Sequence, residues 1–163
     1  MVPTSVAPIT FFVREDSDWM QPRLGEEEQN YERVLSEAIG RLAEVREELK
    51  AAIDADSASF NEVMAAFKKA KDNPDAQGEI DTALKKATST PLAVAERARE
   101  VRTILESLKP ITNPKMASDV TVGVALANAA VEGALANVEI NLSDLEDEAF
   151  VADVRKRAAA LMA

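Results

Sequence analysis

The chain has 163 residues, no cysteine and no histidine, and 29 acidic against 19 basic side chains for a formal charge of −10. That balance argues against nucleic acid or an anionic lipid surface as a partner, and the missing residues exclude disulfides, thiolate chemistry and the usual neutral-pH base. With 47% apolar residues but 4% aromatics, and alanine the dominant small side chain, the composition predicts a single all-α domain, a bundle of about five helices.

Residues 1–25 contain Pro3, Pro8, Pro22 and Gly25 and show no helical period. They are expected to form an irregular arm that docks on another surface, such as a partner subunit, with a lid over a ligand as the second reading. Met1-Val2-Pro3-Thr4 lacks a basic start and no signal-like apolar run follows, so a cytoplasmic protein is expected. The helical domain is expected over residues 26–163.

From Tyr31 the apolar residues recur at three- and four-residue steps, through Val34, Leu35, Ala38, Ile39, Leu42, Val45, Leu49, Ala52 and Ile53, and again at Phe60, Val63, Met64 and Phe67. One very long helix, or two nearly collinear ones, would end at Lys71-Asp72-Asn73-Pro74. Asp56 falls on this stripe between Ile53 and Phe60. A core-facing carboxylate is a candidate general acid or base, because burial favours its protonated form. The competing reading makes Asp54 or Asp56 the cap of a second helix starting near Ser57.

A shorter helix is expected after Gly78, using Ile80, Leu84 and Ala87, and a separate one from Thr90-Pro91, with Val94, Ala98, Val101, Leu105 and Leu108 inward. Lys68, Lys69, Lys71, Lys85 and Lys86 read as solvated faces, or as attraction for a polyanionic substrate tail.

A weakly charged helix from about Ser118 to Asn141 is expected to be buried at the centre of the bundle. Ala125, Ala129, Gly133, Asn137 and Asn141 recur every four residues along it, a strip without bulk where backbones can approach. The two asparagines either satisfy buried hydrogen bonds or recognise a flat ligand in that space. Glu132 and the Ala, Gly and Asn content argue against a membrane span. Asp119, beside Ser118, complements the helix dipole or serves chemistry. Ser143-Asp144-Leu145-Glu146 reads as a capping box for the last helix, with Phe150, Val154, Ala158 and Leu161 inward.

Three segments carry a resemblance: residues 113–123, running from Asn113-Pro114-Lys115 through Ser118-Asp119 to Val122-Gly123; residues 133–142, with Asn137-Val138-Glu139-Ile140-Asn141; and residues 56–64, beginning Asp56-Ser57-Ala58-Ser59-Phe60. In order and spacing the chain resembles the formiminotetrahydrofolate cyclodeaminase and methenyltetrahydrofolate cyclohydrolase family from about residue 30 to its end. The resemblance implies an all-α homodimer with a reduced folate as substrate and neither metal nor other cofactor. It implies Asp56 as acid/base, Asp119 as a second polar group orienting water or the pterin, and Asn113, Ser118, Asn137, Asn141 and Phe60 as substrate contacts. The chain departs from the family at Gly25-Glu26-Glu27-Glu28-Gln29, where lysines are expected after a Gly-rich loop. Acidic side chains there would repel a folate glutamate tail. The alternative is therefore a non-catalytic helical dimerisation or interaction protein of the same descent.

Overall fold

The computed structural model describes residues 26–73 and 77–163, so the arm expected over residues 1–25 lies outside the described residues. The described residues form four α-helices: α1 (Glu26–Asp72), α2 (Gln77–Leu108), α3 (Ala117–Ser143) and α4 (Glu148–Met162). Short 3₁₀ turns at Lys109–Ile111 and Pro114–Met116 join α2 to α3. The all-α expectation holds.

α1 runs unbroken past Ser57, which removes the reading of Asp54 or Asp56 as a cap. Its buried seam steps alternately by four and three, through Leu35, Ala38, Leu42, Val45, Leu49 and Ala52, and resumes at Ser59, Val63, Ala66 and Ala70. Val45, Ser59 and Ala66 are its most buried members. Ile53, Phe60, Met64 and Phe67 lie one residue off this seam and are exposed, 67% for Ile53 and 62% for Phe60. The periodic reading merged two adjacent stripes, and the structure separates them.

α2 is the helix that packs on each of the other three, so it takes the central place expected of α3. Its antiparallel register on α1 is marked by ion pairs: Arg41 grips Glu100 at 2.6 and 3.0 Å, Arg97 reaches Glu48, and Lys86 meets Glu62 at 2.6 Å. Arg41 holds the Glu100 carboxyl below the usual carboxylate range, mainly through their side-chain hydrogen bond. These pairs are largely solvated and contribute more to register than to stability.

Two helices were expected where α2 is one. It passes through Pro91, which is buried inside the helix. Proline has no N–H for the carbonyl four residues earlier, so Ala87 would be left with an unpaired oxygen. Asn141 of α3 supplies the missing donor, its Nδ2 lying 3.2 Å from Ala87 O. The helix survives its proline because a side chain 54 positions away completes it.

This explanation predicts a coupling. Asn141→Leu alone is expected to cost about 1–3 kcal/mol, the desolvation penalty of a buried carbonyl left unsatisfied. In a Pro91→Ala background the new N–H can bond Ala87, and the same replacement is expected to cost about 1 kcal/mol less. Urea melts of the four chains measure the cycle, and additive effects would refute the partnership.

α3 does not have the all-round burial expected of it. Ala127, Val131, Ala134, Val138 and Leu142 are buried, whereas Ala125, Ala129, Gly133 and Asn137 are exposed and Asn141 is half-buried. Small residues on every side conceal from a sequence reading which side meets α2. Where α3 does pack, the fit is close: a Cβ on Gly123 would stand 2.9 Å from Leu105 Cδ1. Val138 and Leu142 join Leu92 of α2 and Val154 of α4 in a buried cluster, each such side chain stabilising the fold by about 1.5–3 kcal/mol. By length and composition α3 could also cross a membrane.

The capping box expected at Ser143 is not found. α3 continues to Ser143, whose hydroxyl donates to Ile140 O, and α4 is capped by Asp147, which accepts from Phe150 N at 3.0 Å. Asp147 also binds Lys85 of α2 at 2.7 Å, and the Lys85 ammonium keeps this carboxyl below its ordinary range. That second bond favours Asp147 as the cap.

Candidate functional site

The ion pairs between α1 and α2 bracket the level of Asp56. Glu48 faces Arg97 and Glu62 faces Lys86, so Asp56, between them on α1, stands level with Pro91 on α2. The bond from Asn141 to Ala87 and the packing of Val138 against Leu92 bring the C-terminal part of α3 to the same level. Three departures from regular apolar packing thus share one height in the bundle. They are the polar interruption of the α1 seam at Asp56 and Ser59, the proline in α2, and the Asn137 to Asn141 segment of α3.

Asp56 occupies a step of the α1 seam yet is exposed, so the core-facing position expected for it is not found. Its backbone carbonyl accepts the Ser59 hydroxyl at 2.8 Å, leaving its carboxylate directed by no hydrogen bond among the described contacts. Phe60 stands on the exposed stripe beside it. Asn137 is exposed and turns its Nδ2 back to Gly133 O at 3.0 Å. Asn141 is committed to Ala87, which agrees with the expectation of a buried structural hydrogen bond for this amide. Asn137 remains accessible for recognition.

The other motif lies elsewhere. Ser118 and Asp119 are exposed in the first turn of α3, and Asn113 caps the preceding 3₁₀ turn by accepting from Lys115 N at 3.0 Å. Asp119 and Asn137 are separated by about 27 Å along the helix, at 1.5 Å per residue. Within one chain, therefore, the two family-like segments of α3 cannot contact the same pterin ring.

Of the basic residues, Lys85 is held by Asp147 and Asp81 with its ammonium 5.7 Å from the Phe150 ring centre, while Lys86 and Lys69 pair with Glu62 and Glu79. Those three are engaged inside the chain rather than free to attract a polyanionic tail. Among the described residues no group of three or more acidic side chains is arranged to hold a metal ion. An open groove of about 480 Å³ between the end of α3 and α4 is lined by Leu142, Leu145, Val151 and Arg155 among others, and by none of the expected site residues. Sequence reasoning missed Ser59 and Thr88, both buried with their hydroxyls turned to backbone carbonyls of their own helices. A polar residue in a seam step was the available signal for Ser59.

Comparison with known proteins gives this geometry a context. The family model described as formiminotransferase-cyclodeaminase matches residues 23–160. The chain is 34% identical to the formimidoyltransferase-cyclodeaminase of Sus scrofa over 118 residues, which is 70% of this chain and 22% of that protein. It is 32% identical to the methenyltetrahydrofolate cyclohydrolase of Methylorubrum extorquens over 133 residues, 79% of this chain and 64% of that protein. Thus the chain spans about a fifth of the vertebrate relative. Among solved structures, the formiminotetrahydrofolate cyclodeaminase of Thermotoga maritima superposes with a TM-score of 0.76 at 27% identity, covering 85% of this chain and 67% of that one.

Proposed function

Because this chain belongs to the formiminotransferase-cyclodeaminase family, we propose that it converts the one-carbon group of a reduced folate, either hydrolysing methenyltetrahydrofolate or cyclising formiminotetrahydrofolate with loss of ammonia. The observation that supports this most is the family match over residues 23–160, which takes in all three helical segments with site residues. In the hydrolysis, water adds to the cationic carbon bridging two nitrogens and loses one proton, and the resulting hydroxyl loses its own as one carbon–nitrogen bond opens and that nitrogen takes up a proton, leaving the formyl group. In the cyclisation, the second nitrogen adds to the formimino carbon and loses its proton, the imino nitrogen takes up two protons, and ammonia departs to leave the methenyl cation. Both need a proton acceptor next to the reacting carbon, and a carboxylate serves.

On this reading Asp56 is the acid/base, and its exposure leaves it open to substrate. Asn137, Phe60 and the Oδ1 of Asn141, whose Nδ2 is held by Ala87, contact the same ligand, while Asp119, orienting water or the pterin, with Ser118 and Asn113, about 27 Å away along α3, reaches it from the other subunit. The protein works as a cytoplasmic homodimer without a cofactor, the folate being its substrate. The Glu26-Glu27-Glu28 run favours a second reading, a non-catalytic interaction module, because it stands where a cationic folate-tail contact is expected.

The test is optical. Loss of the methenyl-folate chromophore faster than in buffer, with saturable binding in a folate titration, is the expected result. Binding without turnover, in both the hydrolytic and the cyclising assay, would leave only the ligand site, and silence in all three would establish the second reading.

A further inference from the structure

Proline is the least favourable residue that α2 could carry at position 91. An alanine there would itself supply the N–H that Ala87 needs, without help from another helix. Yet Pro91 is buried within α2, and the Ala87 carbonyl is served by Asn141 Nδ2 at 3.2 Å. The arrangement does one thing that alanine would not: it fixes which end of the Asn141 amide faces α2. Only the nitrogen of a carboxamide donates to a carbonyl, so the oxygen stands at the other end of the amide plane. The described contacts give Asn141 Oδ1 no donor. Among the described residues no buried side-chain nitrogen or oxygen lacks a partner, so this unpaired oxygen reaches the surface.

Its neighbours have the same polarity. Asn137, about 6 Å earlier along α3, turns its Nδ2 to Gly133 O at 3.0 Å and likewise keeps its oxygen free. Asp56, level with them on α1, offers a carboxylate. The hydroxyls of Ser57, Ser59 and Thr88 each give their hydrogen to a carbonyl of their own helix, at 3.1, 2.8 and 2.7 Å. α3 ends at Ser143, so the partial negative charge of its C-terminus falls beside Asn141. Such a surface accepts hydrogen bonds more readily than it gives them. Of the parts of a reduced folate, the glutamate tail brings carboxylates and is repelled here, whereas the pyrimidine edge of the pterin brings an N–H and an amino group. The Phe60 ring, 62% exposed at the same level, offers a flat face to that ring system.

We propose that Pro91 is a positioning residue that sets the polarity of the ligand site, an inference that rests on the folate reading above. By withholding an N–H from Ala87 it holds the Asn141 amide with its oxygen toward the ligand. The C-terminal part of α3 thereby selects the donor edge of the pterin.

Tetrahydropterin and its 2-oxo counterpart, tetrahydrolumazine, test this, because the exchange puts an acceptor where the amino donor was. The wild-type chain is expected to prefer the pterin by about tenfold or more. Pro91→Ala returns an N–H to Ala87 and lets the Asn141 amide turn over, so the preference is expected to fall to about threefold or less. Pro91→Val returns the same N–H with more of the ring's bulk and is expected to do likewise. A preference unchanged in both variants, or changed in only one and therefore due to packing, overturns the proposal. Asn137→Asp keeps an acceptor and is expected to bind the pterin within about threefold of wild type, while Asn137→Ala loses about tenfold. Equal losses overturn the assigned polarity. A wild-type chain that binds neither compound removes the ligand together with the proposed function. Hydrogen exchange in the free chain still decides the positioning: the Asn141 side-chain amide is expected to exchange about tenfold or more slowly than that of the exposed Asn61, and to lose this protection in both Pro91 variants. Equal exchange of the two amides in the wild-type chain overturns it.

Discussion

Val138→Asp is expected to unfold the chain, whereas Ile140→Asp, two positions further on, leaves the fold intact. Val138 is 1% exposed and packs with Leu92, Leu142 and Val154. An aspartate there either buries an unpaired charge or forces the helices apart, a loss on the order of 4 kcal/mol or more out of the roughly 5–15 kcal/mol that a domain has. Ile140 is 65% exposed, so the same substitution places a carboxylate in water. If the proposed homodimer forms through this exposed face of α3, the effect of the substitution is on association, with the chain running as a monomer at micromolar concentration. Thermal melts followed by circular dichroism, beside light scattering, separate the two. Equal tolerance of both substitutions would refute the orientation of α3 described above.

The second large effect is on turnover. If the folate reading is right, Asp56→Asn should slow conversion by about two to four orders of magnitude, the usual contribution of a general acid or base. Melting temperature and folate affinity should stay close to wild type. Asp56 is exposed and its side chain supports no described contact, so the isosteric amide removes a proton acceptor without disturbing the α1 seam. A rate within a few-fold of wild type would sink the assignment. A drop in rate that tracks a drop in stability would instead make Asp56 a packing residue.

Residues differ in how far their roles can be read from the chain alone. α1 was legible because its four-and-three rhythm runs from Leu35 to Ala70 without proline, and one face of such a helix has to be buried wherever it packs. The exposed stripe Ile53, Phe60, Met64 and Phe67 was not separable from it, since adjacent apolar stripes give one combined period. The continuity of α2 was hidden for another reason. A proline after threonine ordinarily opens a helix, and the group that compensates for its missing N–H, Asn141, lies in a different helix. Ser143 and Asp147 both look like caps locally, and the tie to Lys85 favours Asp147.

The sequence by itself determined the helical class, the long α1, the exclusion of thiol and imidazole chemistry, and the family resemblance of the Asp56, Ser118-Asp119 and Asn137 to Asn141 segments. Those follow from residue identity and short-range period, which do not depend on neighbours. Tertiary structure alone decided that α2, not α3, is the centre, that α3 turns its small-residue strip outward, and that Asp56 shares a level with Asn137 and Asn141 but not with Asp119. Burial and adjacency belong to pairs of helices. A helix nearly as small and uncharged on one side as on the other carries no local signal of which side its neighbour will take.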